Sequence, residues 1–554
     1  MTDRIHASGL RVSVVVAVYN PGPLLQRLFD SLRWQTLPAA AWEVIFVDDG
    51  STDGSGRQID ELAEAHANVT AIHIPNSGWP GRPRNIGIDA ATGRYIYIVD
   101  HDDWLTPEAL ERLADRADEG EADVVIGKEI GHGFGVPLEL FARNVDDARL
   151  GADPLLHLLT PHKLFRRSML VEHGIRFPEG RRRLEDHHFV VQCYFAARRI
   201  MILADYPCYH WTERPERQNA THSRIDPVGY YGNMREILDI VDRNTKPGSL
   251  RDRLYVHWYL SKTLHKLRGQ RWQLAILAPP AASLLGEIGR IVEDRFSPRL
   301  DALLPVRYRM TARAVRSGNR RLLVAGATFL DGVEARVETT SVALDGTRMK
   351  VALSVALLDP SAQPLRFVTK DGRQYWAPPE SMGFGGELQP EDLDATDTLG
   401  EAAVTIILRH RASATFFEHR VPWRLESGAD DVRSRGGVTA SFDLATVAAG
   451  GPLSSGTWDL FANLACAGFA RRRRLPGGHP PPLDAMAAVS AYVTAAGNLA
   501  LKVRRSDGPE LVIAPPVPDV GWRITRSSVL NALRSRLPGR ARRAVRAVIR
   551  TFRA

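Results

Sequence analysis

Cysteine is scarce in this chain of 554 residues, which has only Cys193, Cys208 and Cys466. Their wide spacing excludes a disulfide framework and a zinc site of closely spaced thiolates, so we expect a reducing cytoplasmic compartment. No apolar run approaches the ~20 residues that a membrane span requires. Residues 1–9 also lack the apolar segment of a signal peptide. The sequence therefore predicts a protein that is soluble or attached to a membrane surface.

Acidic residues are missing from the end of the chain, since none follows Asp519, although the net charge of the whole is only +8. Apolar residues of segment 540–553 share one helical stripe and arginines fill the other positions. This pattern predicts a basic amphipathic helix that contacts the anionic inner face of a membrane. A helix packed on its own protein and a disordered tail are the alternatives.

Two internal arginine clusters, at residues 181–183 and 471–474, carry further positive charge. They suit an anionic partner such as a phosphate-bearing polymer, although plain surface charge explains them nearly as well. Nucleic acid is the least favoured partner, because the arginines are not interleaved with aromatic residues that could stack on bases.

The chain is too long for one hydrophobic core, and its pattern changes along its length. Residues 1–225 alternate buried apolar strands with helices, which predicts an α/β domain with a largely parallel sheet. The pattern of residues 226–318 predicts a helical linker region. Residues 319–426 and 427–520 consist of short alternating strands, which predicts two immunoglobulin-like β-sandwich modules with a seam at 427–437, and residues 521–554 form the basic tail.

Two acidic clusters follow apolar runs in the α/β region, at Asp48-Asp49 and at Asp100-His101-Asp102-Asp103. Neighbouring carboxylates would repel one another inside a core strand. At the carboxyl ends of parallel strands, where ligands bind such sheets, they can hold a divalent cation with a diphosphate. The two clusters therefore predict one nucleotide site.

Four elements in order resemble family 2 glycosyltransferases, which are inverting enzymes of the GT-A fold that use nucleotide sugars. The elements are VVVAVYN at 14–20, VDDGSTD at 47–53, NSG at 76–78 with PRNIG at 83–87, and DHDD at 100–103. The third departs from the family pattern, since Pro83 stands where alanine is usual. The resemblance covers residues 12–130 and implies a UDP-sugar donor and a bound Mn²⁺ or Mg²⁺.

The resemblance also implies roles for individual residues. Tyr19 and Asp49 would meet the nucleobase, Arg84 would hold the diphosphate, and Asp102 would bind the metal. The complete set of expected donor-binding residues is Tyr19, Asn20, Asp49, Asn76, Arg84 and Asp100.

The pair Glu185-Asp186 resembles the family's ED motif, in which the aspartate is the general base. Inverting transfer needs a carboxylate on the face of the sugar opposite the leaving group. We therefore expect Asp186 to deprotonate the acceptor and Glu185 to orient it; an ordinary acidic helix start is the alternative. His210 matches the position of a late metal or phosphate ligand in several GT-A enzymes, although a lone histidine is often structural.

The string GTWDLF at 456–461 resembles a strand in the accessory β-domains of wall teichoic acid glycosyltransferases, which share this domain order. That likeness implies transfer of a hexose or N-acetylhexosamine to a cell-envelope glycopolymer, and leaves a homo-oligomer open. A lipid-linked oligosaccharide or protein acceptor is the alternative. An inactive polymer-binding scaffold is disfavoured, because the expected catalytic carboxylates are present.

Overall fold

The computed structural model describes residues 9–132, 135–212, 226–267, 279–384, 386–478 and 488–504. The predicted amphipathic tail at 521–554 lies outside these residues. Within the described ranges, no helix combines the length and apolar character needed to cross a membrane.

The first region is built on a mixed eight-stranded sheet. Its strands are β1 Val12–Val18, β2 Trp42–Asp48, β3 Val69–His73, β4 Tyr95–Asp100, β5 Trp104–Leu105, β6 Val124–His132, β7 Leu164–Arg166 and β8 Ile200–Thr212. Its helices are α1 Leu24–Arg33, α2 Ser55–Ala65, α3 Gly81–Ala90, α4 Ala109–Glu119, α5 Arg167–Glu172 and α6 Glu185–Ala196. The spatial order is β3-β2-β1-β4-β7-β6-β8-β5.

Strands β1 to β4 run parallel, whereas β7 runs antiparallel to both of its neighbours. Their side chains feed two apolar layers: Val15 and Ile98 face one, and Val14 and Tyr97 face the other. A strand buried on both faces needs apolar residues at every position, which is why these strands read as unbroken apolar runs. The predicted GT-A-like α/β domain is confirmed, with a mixed sheet.

A helical region follows, as predicted. It contains α7 Pro227–Asn244, α8 Ser249–Trp258, a π-helical turn at Tyr259–Thr263, a 3-10 turn at Leu264–Leu267, α9 Pro279–Arg295, a 3-10 helix at Pro298–Leu303, α10 Val306–Arg316 and α11 Arg320–Gly332. Asp226 caps α7 by accepting a hydrogen bond from the Gly229 amide (2.9 Å), and Pro227 occupies its first turn. The first N–H groups of a helix have no partner within the helix. Proline has no N–H, so it loses no hydrogen bond at this position and favours a helix start.

The last described region contains antiparallel sheets. Its strands are β9 Glu334–Asp345, β10 Arg348–Leu358, β11 Arg366–Lys370, β12 Arg373–Ala377, β13 Ala403–His410, β14 Phe416–Pro422, β15 Glu426–Ser427, β16 Asp431–Arg433, β17 Arg435–Asp443, β18 Gly456–Cys466, β19 Phe469–Arg474, β20 Val489–Val493 and β21 Leu499–Val503. Short helices α12 Pro390–Leu393 and α13 Thr396–Leu399 lie between β12 and β13.

The pairing of these strands runs across the expected seam at 427–437. Strand β10 pairs with β9 and also with β17, and β13 pairs with β18. Each of two sheets therefore contains strands from before and from after residue 426. The chain does not separate into two sets of sheets at the expected boundary. We refer to residues 334–478 and 488–504 together as the β unit.

The arginine cluster at 471–474 contributes contacts inside the chain. Arg471 donates a 2.6 Å hydrogen bond from Nε to the Val333 carbonyl, and Arg474 pairs with Asp459. Burial lowers the pKa of Arg472, and nearby Glu418 partly offsets this. At least two of the four arginines thus help to join β19 to neighbouring elements.

Lys128 links the eight-stranded sheet to the β unit. It lies on β6, is fully buried, and donates a 2.6 Å hydrogen bond from Nζ to the Phe416 carbonyl on β14. Its Nζ also lies 3.9 Å from the centre of the Phe417 ring. Burial lowers the pKa of Lys128 to about 7, although Glu418 acts in the opposite direction.

This lysine predicts a specific pH dependence of stability. Between pH 8 and 10 the folded state holds Lys128 largely neutral while the unfolded state holds it protonated, so stability rises with pH. We expect the wild-type free energy of unfolding to increase by about 1.4 kcal/mol per pH unit more than that of Lys128→Met over this range. Urea titrations at several pH values measure the difference. Equal slopes for the two proteins would show that Lys128 stays charged when folded.

Candidate active site

Three parallel strands end side by side at one edge of the eight-stranded sheet. In the register of β1 with its two neighbours, Val18 pairs with Asp48 and Ala17 pairs with Asp100. The two acidic clusters therefore meet at the carboxyl edge, where ligands bind sheets of this kind. This juxtaposition was expected from the sequence.

One side of this edge is formed by the residues expected to meet the nucleobase. Asp49 accepts a 2.7 Å hydrogen bond from the Ser77 amide, while Asn76 donates 2.8 Å from its side chain to the Asp49 carbonyl. Tyr19 stands 47% exposed at the rim, so its ring face is accessible. These contacts fix the 76–77 loop against the end of β2.

Asn20 has a positive φ of 47° and connects the loop after β1 to the loop after β2. Its backbone amide donates to the Ser51 hydroxyl (3.1 Å), and its Oδ1 accepts from the Thr52 amide (2.8 Å). Asparagine tolerates this left-handed conformation better than most residues. The structure thus shows Asn20 shaping the rim between β1 and β2.

Arg84, on α3, is the central cation of the site. Its buried guanidinium donates from Nη2 to Asp100 Oδ1 and from Nη1 to Asp186 Oδ1, each at 2.7 Å. Its Cζ lies 5.1 Å from the centre of the Phe177 ring. Burial alone would lower the pKa of Arg84, but the surrounding carboxylates, Asp100 foremost, raise it well above its usual value. A permanently charged group therefore joins the expected donor end of the site to the expected base.

Asp186 and Glu185 begin α6, directly after Leu184, whose φ of 64° makes a sharp entry into the helix. Glu185 is buried, with its Oε1 4.0 Å from Arg84 Nη1. Burial and then Asp186 raise the pKa of Glu185; burial also raises that of Asp186, against the effect of Arg84. Carboxyl groups with raised pKa values suit proton transfer near neutral pH.

Asp102 and Asp103 form the centre of the acidic cluster, and both are buried. Asp103 accepts a 2.6 Å hydrogen bond from the Tyr209 hydroxyl and a 2.7 Å bond from the Thr212 amide. Burial and then Asp102 raise the pKa of Asp103 well above its usual value. A divalent cation would relieve this like-charge repulsion, so the oxygen-rich cluster fits one.

His162 joins this cluster, and nothing in the sequence motifs pointed to it. Its Nε2 lies 3.2 Å from Asp100 Oδ2, its Nδ1 lies 3.7 Å from Glu129 Oε2, and its ring stacks on Tyr209. Burial alone would lower the pKa of His162, but the hydrogen bond with Asp100 and the nearby carboxylate of Glu129 raise it to about 10. His162, Asp100 and Asp103 offer ligand atoms within 4.8 Å of one another.

His210, the other expected metal ligand, lies on β8 opposite Trp104, and the two rings stack with centres 3.5 Å apart. Its Nδ1 is 2.9 Å from His132 Nε2, and its buried Nε2 has no hydrogen-bond partner among the described residues. Burial and then His132 lower the pKa of His210 well below its usual value. A neutral imidazole with an unpaired nitrogen is the form that binds metals.

The model of "Glycosyl transferase family 2" matches residues 13–205. Glycosyltransferase GlyG of Streptococcus pneumoniae is 31% identical over 212 residues, which cover 35% of this chain and 68% of that protein. The chain belongs to glycosyl transferase family 2. The resemblance drawn from the four sequence elements is thereby confirmed.

Other relatives of this family 2 chain are polymer-modifying enzymes. The poly(ribitol-phosphate) beta-glucosyltransferase of Bacillus spizizenii is 36% identical over 234 residues, covering 42% of this chain and 37% of that protein. The poly(ribitol-phosphate) beta-N-acetylglucosaminyltransferase TarS of Staphylococcus aureus is 32% identical over 264 residues, covering 46% and 45%. The chain thus spans less than half the length of these two relatives.

The helical region and the β unit also have counterparts. The TarS linker domain model matches residues 227–327. A crystal structure of S. aureus TarS 1–349 with UDP-GlcNAc has a TM-score of 0.53 and 25% identity, covering 66% of this chain and 97% of that one. A second TarS structure covers 90% of this chain and 86% of that one at 21% identity and a TM-score of 0.52, which shows a likeness of fold.

Proposed function

We propose that this family 2 chain is an inverting, metal-dependent transferase that moves a hexose or N-acetylhexosamine from a UDP-sugar to a hydroxyl of an anionic cell-envelope polymer. The observation that carries this proposal is the bridge from Asp100 through Arg84 to Asp186. It joins the carboxyl edge of the sheet, where we expect the nucleotide, to a carboxylate suited to act as base. The relatives that act on poly(ribitol phosphate) support that class of acceptor.

The proposed reaction follows from these residues. Asp186 accepts the proton of the acceptor hydroxyl, whose oxygen attacks the anomeric carbon from the face opposite the nucleotide. The bond between that carbon and the β-phosphate oxygen breaks, UDP leaves with the electron pair, and the anomeric configuration inverts. Arg84 contributes positive charge beside the departing diphosphate.

Asp102 and His210 would hold the divalent cation, and Asp100 would bind the donor beside it. A bound Mn²⁺ or Mg²⁺ supplies Lewis-acid stabilisation of charge on a leaving diphosphate. Asp103, by contrast, already accepts hydrogen bonds from Tyr209 and Thr212, so we assign it a positioning role in the cluster.

The acceptor is proposed to approach past the start of α6. Arg181 is exposed there, while Arg182 pairs with Glu236 at the surface of α7. An exposed arginine beside the base suits a phosphate of a polyol-phosphate chain. We place this activity at the cytoplasmic membrane face, and a lipid-linked oligosaccharide acceptor is the second candidate because the basic tail suits a membrane surface.

Metal dependence and donor choice can be tested together. We expect UDP release from UDP-glucose or UDP-N-acetylglucosamine in the presence of poly(ribitol phosphate) and Mn²⁺ or Mg²⁺, and loss of at least nine-tenths of it with excess EDTA, restored by added metal. Nucleotide release and polymer labelling are measured in parallel, with GDP- and TDP-sugars as donor controls. Full activity in EDTA would contradict the proposed metal site. Labelling of lipid-linked acceptors in place of polymer would favour the second candidate.

A further inference from the structure

A second concave site lies on the opposite edge of the eight-stranded sheet. A cavity of about 390 Å³ is lined by Arg94, Glu121, Arg166, Arg198 and Arg199. Arg94 directly precedes β4, Arg166 ends the antiparallel β7, and Arg198 and Arg199 directly precede β8. Since β4 rises ~3.3 Å per residue, this cavity is roughly 17 Å from the acidic cluster at its other end. We call these five residues the basal arginine pocket.

The arginines of the pocket are held in place by a buried acid. Asp123, whose side chain is 2% exposed, accepts from Arg166 Nε (2.8 Å), from the Arg198 amide (2.8 Å) and from Arg198 Nε (3.2 Å). Burial would raise the pKa of Asp123, but the hydrogen bonds from Arg198 and Arg166 outweigh it and lower the value. Asp123 therefore remains a fixed anion that orients two guanidinium groups.

Backbone carbonyls hold the pocket from the same side. Arg199 donates from Nη1 to the Gly120 carbonyl (2.5 Å), and Arg166 donates from Nη2 to the Ala122 carbonyl (2.8 Å). A guanidinium group has five N–H donors, so these contacts leave others on each arginine for a ligand. The arrangement is prepared before a ligand arrives, which lowers the entropic cost of binding.

The charge and lining of the pocket define its ligand. Four arginines face two acids, Glu121 and Asp123, while Arg94 is additionally paired with Asp118 at 2.8 Å. The lining contains no apolar side chain that could enter a membrane. The nearby Tyr95 ring already lies under Arg94 and Arg166, 5.5 and 5.3 Å from its centre, so it is a poor platform for a nucleobase. These features favour a phosphate group without an attached base or lipid.

We propose that the basal arginine pocket binds a phosphate group of an anionic polymer acceptor at a second point, remote from the site of sugar transfer. The polymer as ligand rests on the proposed function, whereas the preference for phosphate rests on the pocket itself. Arginine's planar fork matches phosphate oxygens, and the cavity volume lies within the range of ordinary ligand sites. A polymer held at two points stays on the enzyme between transfers. The second contact should therefore raise the affinity for long acceptors that reach both sites, and leave the affinity for short acceptors unchanged.

The test compares the double variant Arg198→Gln/Arg199→Gln with Arg57→Gln/Arg299→Gln, which removes two charges elsewhere on the surface. The side chains of Arg198, Arg57 and Arg299 are 82%, 84% and 62% exposed, and Arg199 is exposed as well. Asp123 keeps its bonds from Arg166 and from the backbone amide of residue 198, so these substitutions should leave the fold intact, as melting curves will check. Poly(ribitol phosphate) of many repeats and a fragment of two repeats serve as acceptors. Arg198→Gln/Arg199→Gln is expected to raise KM for the long polymer about tenfold, which corresponds to the loss of one charge-assisted hydrogen bond. Its KM for the fragment and both kcat values should be unchanged.

Direct binding separates this proposal from the proposed function. Calorimetry with the long polymer and with inorganic phosphate is run in the presence of excess UDP, and should show weaker binding by the pocket variant than by the control. If the pocket variant binds more weakly than the control but neither the wild type nor the variants transfer sugar, phosphate binding by the pocket is supported and the proposed function is overturned. Equal binding and equal KM values for both variants would overturn the pocket. Loss of binding to phosphatidylglycerol vesicles with polymer binding intact would likewise overturn it in favour of a lipid headgroup.

Discussion

Substitution of Asp186 by asparagine should lower the rate of sugar transfer by about 10²–10⁴-fold, the usual contribution of a general base. Asparagine keeps an oxygen that can accept the 2.7 Å hydrogen bond from Arg84, but it cannot take the acceptor's proton. Donor binding should therefore persist while kcat falls. Steady-state transfer to polymer, together with calorimetric titration of UDP, measures the two quantities separately.

Glu185→Gln is the matched comparison for this substitution, because it removes the neighbouring carboxylate from the same helix start. If Asp186 is the base, Glu185→Gln should retain more transfer activity than Asp186→Asn, and its effect should fall mainly on the KM for acceptor. A kcat for Asp186→Asn close to wild type would remove Asp186 from the catalytic step. Donor hydrolysis by water is a poor substitute for this assay, since water attack need not use the same base.

Replacement of Arg84 by methionine should reduce both stability and donor binding. It leaves Asp100 and Asp186 without the buried cation that faces them, and removal of one partner of a buried ion pair costs about 3–5 kcal/mol. We expect the low end of that range, because both carboxylates are partly exposed and water screens them. Urea unfolding gives the change in free energy, and UDP titration gives the change in affinity.

Arg176→Met is the control, since Arg176 pairs with Asp89 at the surface and should cost less than about 1 kcal/mol. The double variant Arg84→Met/Asp186→Asn should recover part of the lost stability, because it removes one of the two uncompensated carboxylates. Donor affinity should stay low in that double variant. An Arg84→Met protein as stable as the Arg176→Met control would show that the bridge contributes nothing to the fold.

The carboxyl edge of the sheet could be predicted from the sequence because it depends on local signals. Apolar runs mark β1, β2 and β4, and each ends in polar residues that parallel pairing brings together. Asp48 and Asp100 therefore end the two strands that flank β1, at one edge of the sheet. His162 was missed since it precedes β7, whose antiparallel direction brings its first residues to the same edge. No periodicity in the sequence states the direction of a three-residue strand.

The division of the β-rich half was less predictable for a similar reason. A polar stretch at 427–437 looks like a linker, because polarity and strand length are local properties. One of the two partners of β10 is β17, far along the chain, and this pairing depends on which edges are available once the other strands have formed. The contact between Lys128 and β14 is equally non-local, since a lysine in an apolar strand gives no sign of its partner.

That lysine contact also bears on how such chains can be recombined. The face of β6 that carries Lys128 is sealed by Phe416 and Phe417, so a shortened chain without β14 would expose an amine and apolar surface that the full chain covers. A chimaera that joins this catalytic sheet to a relative's β-rich half would need an aromatic pair and a carbonyl at the same place. In this respect the two halves of the chain are complementary at one specific contact.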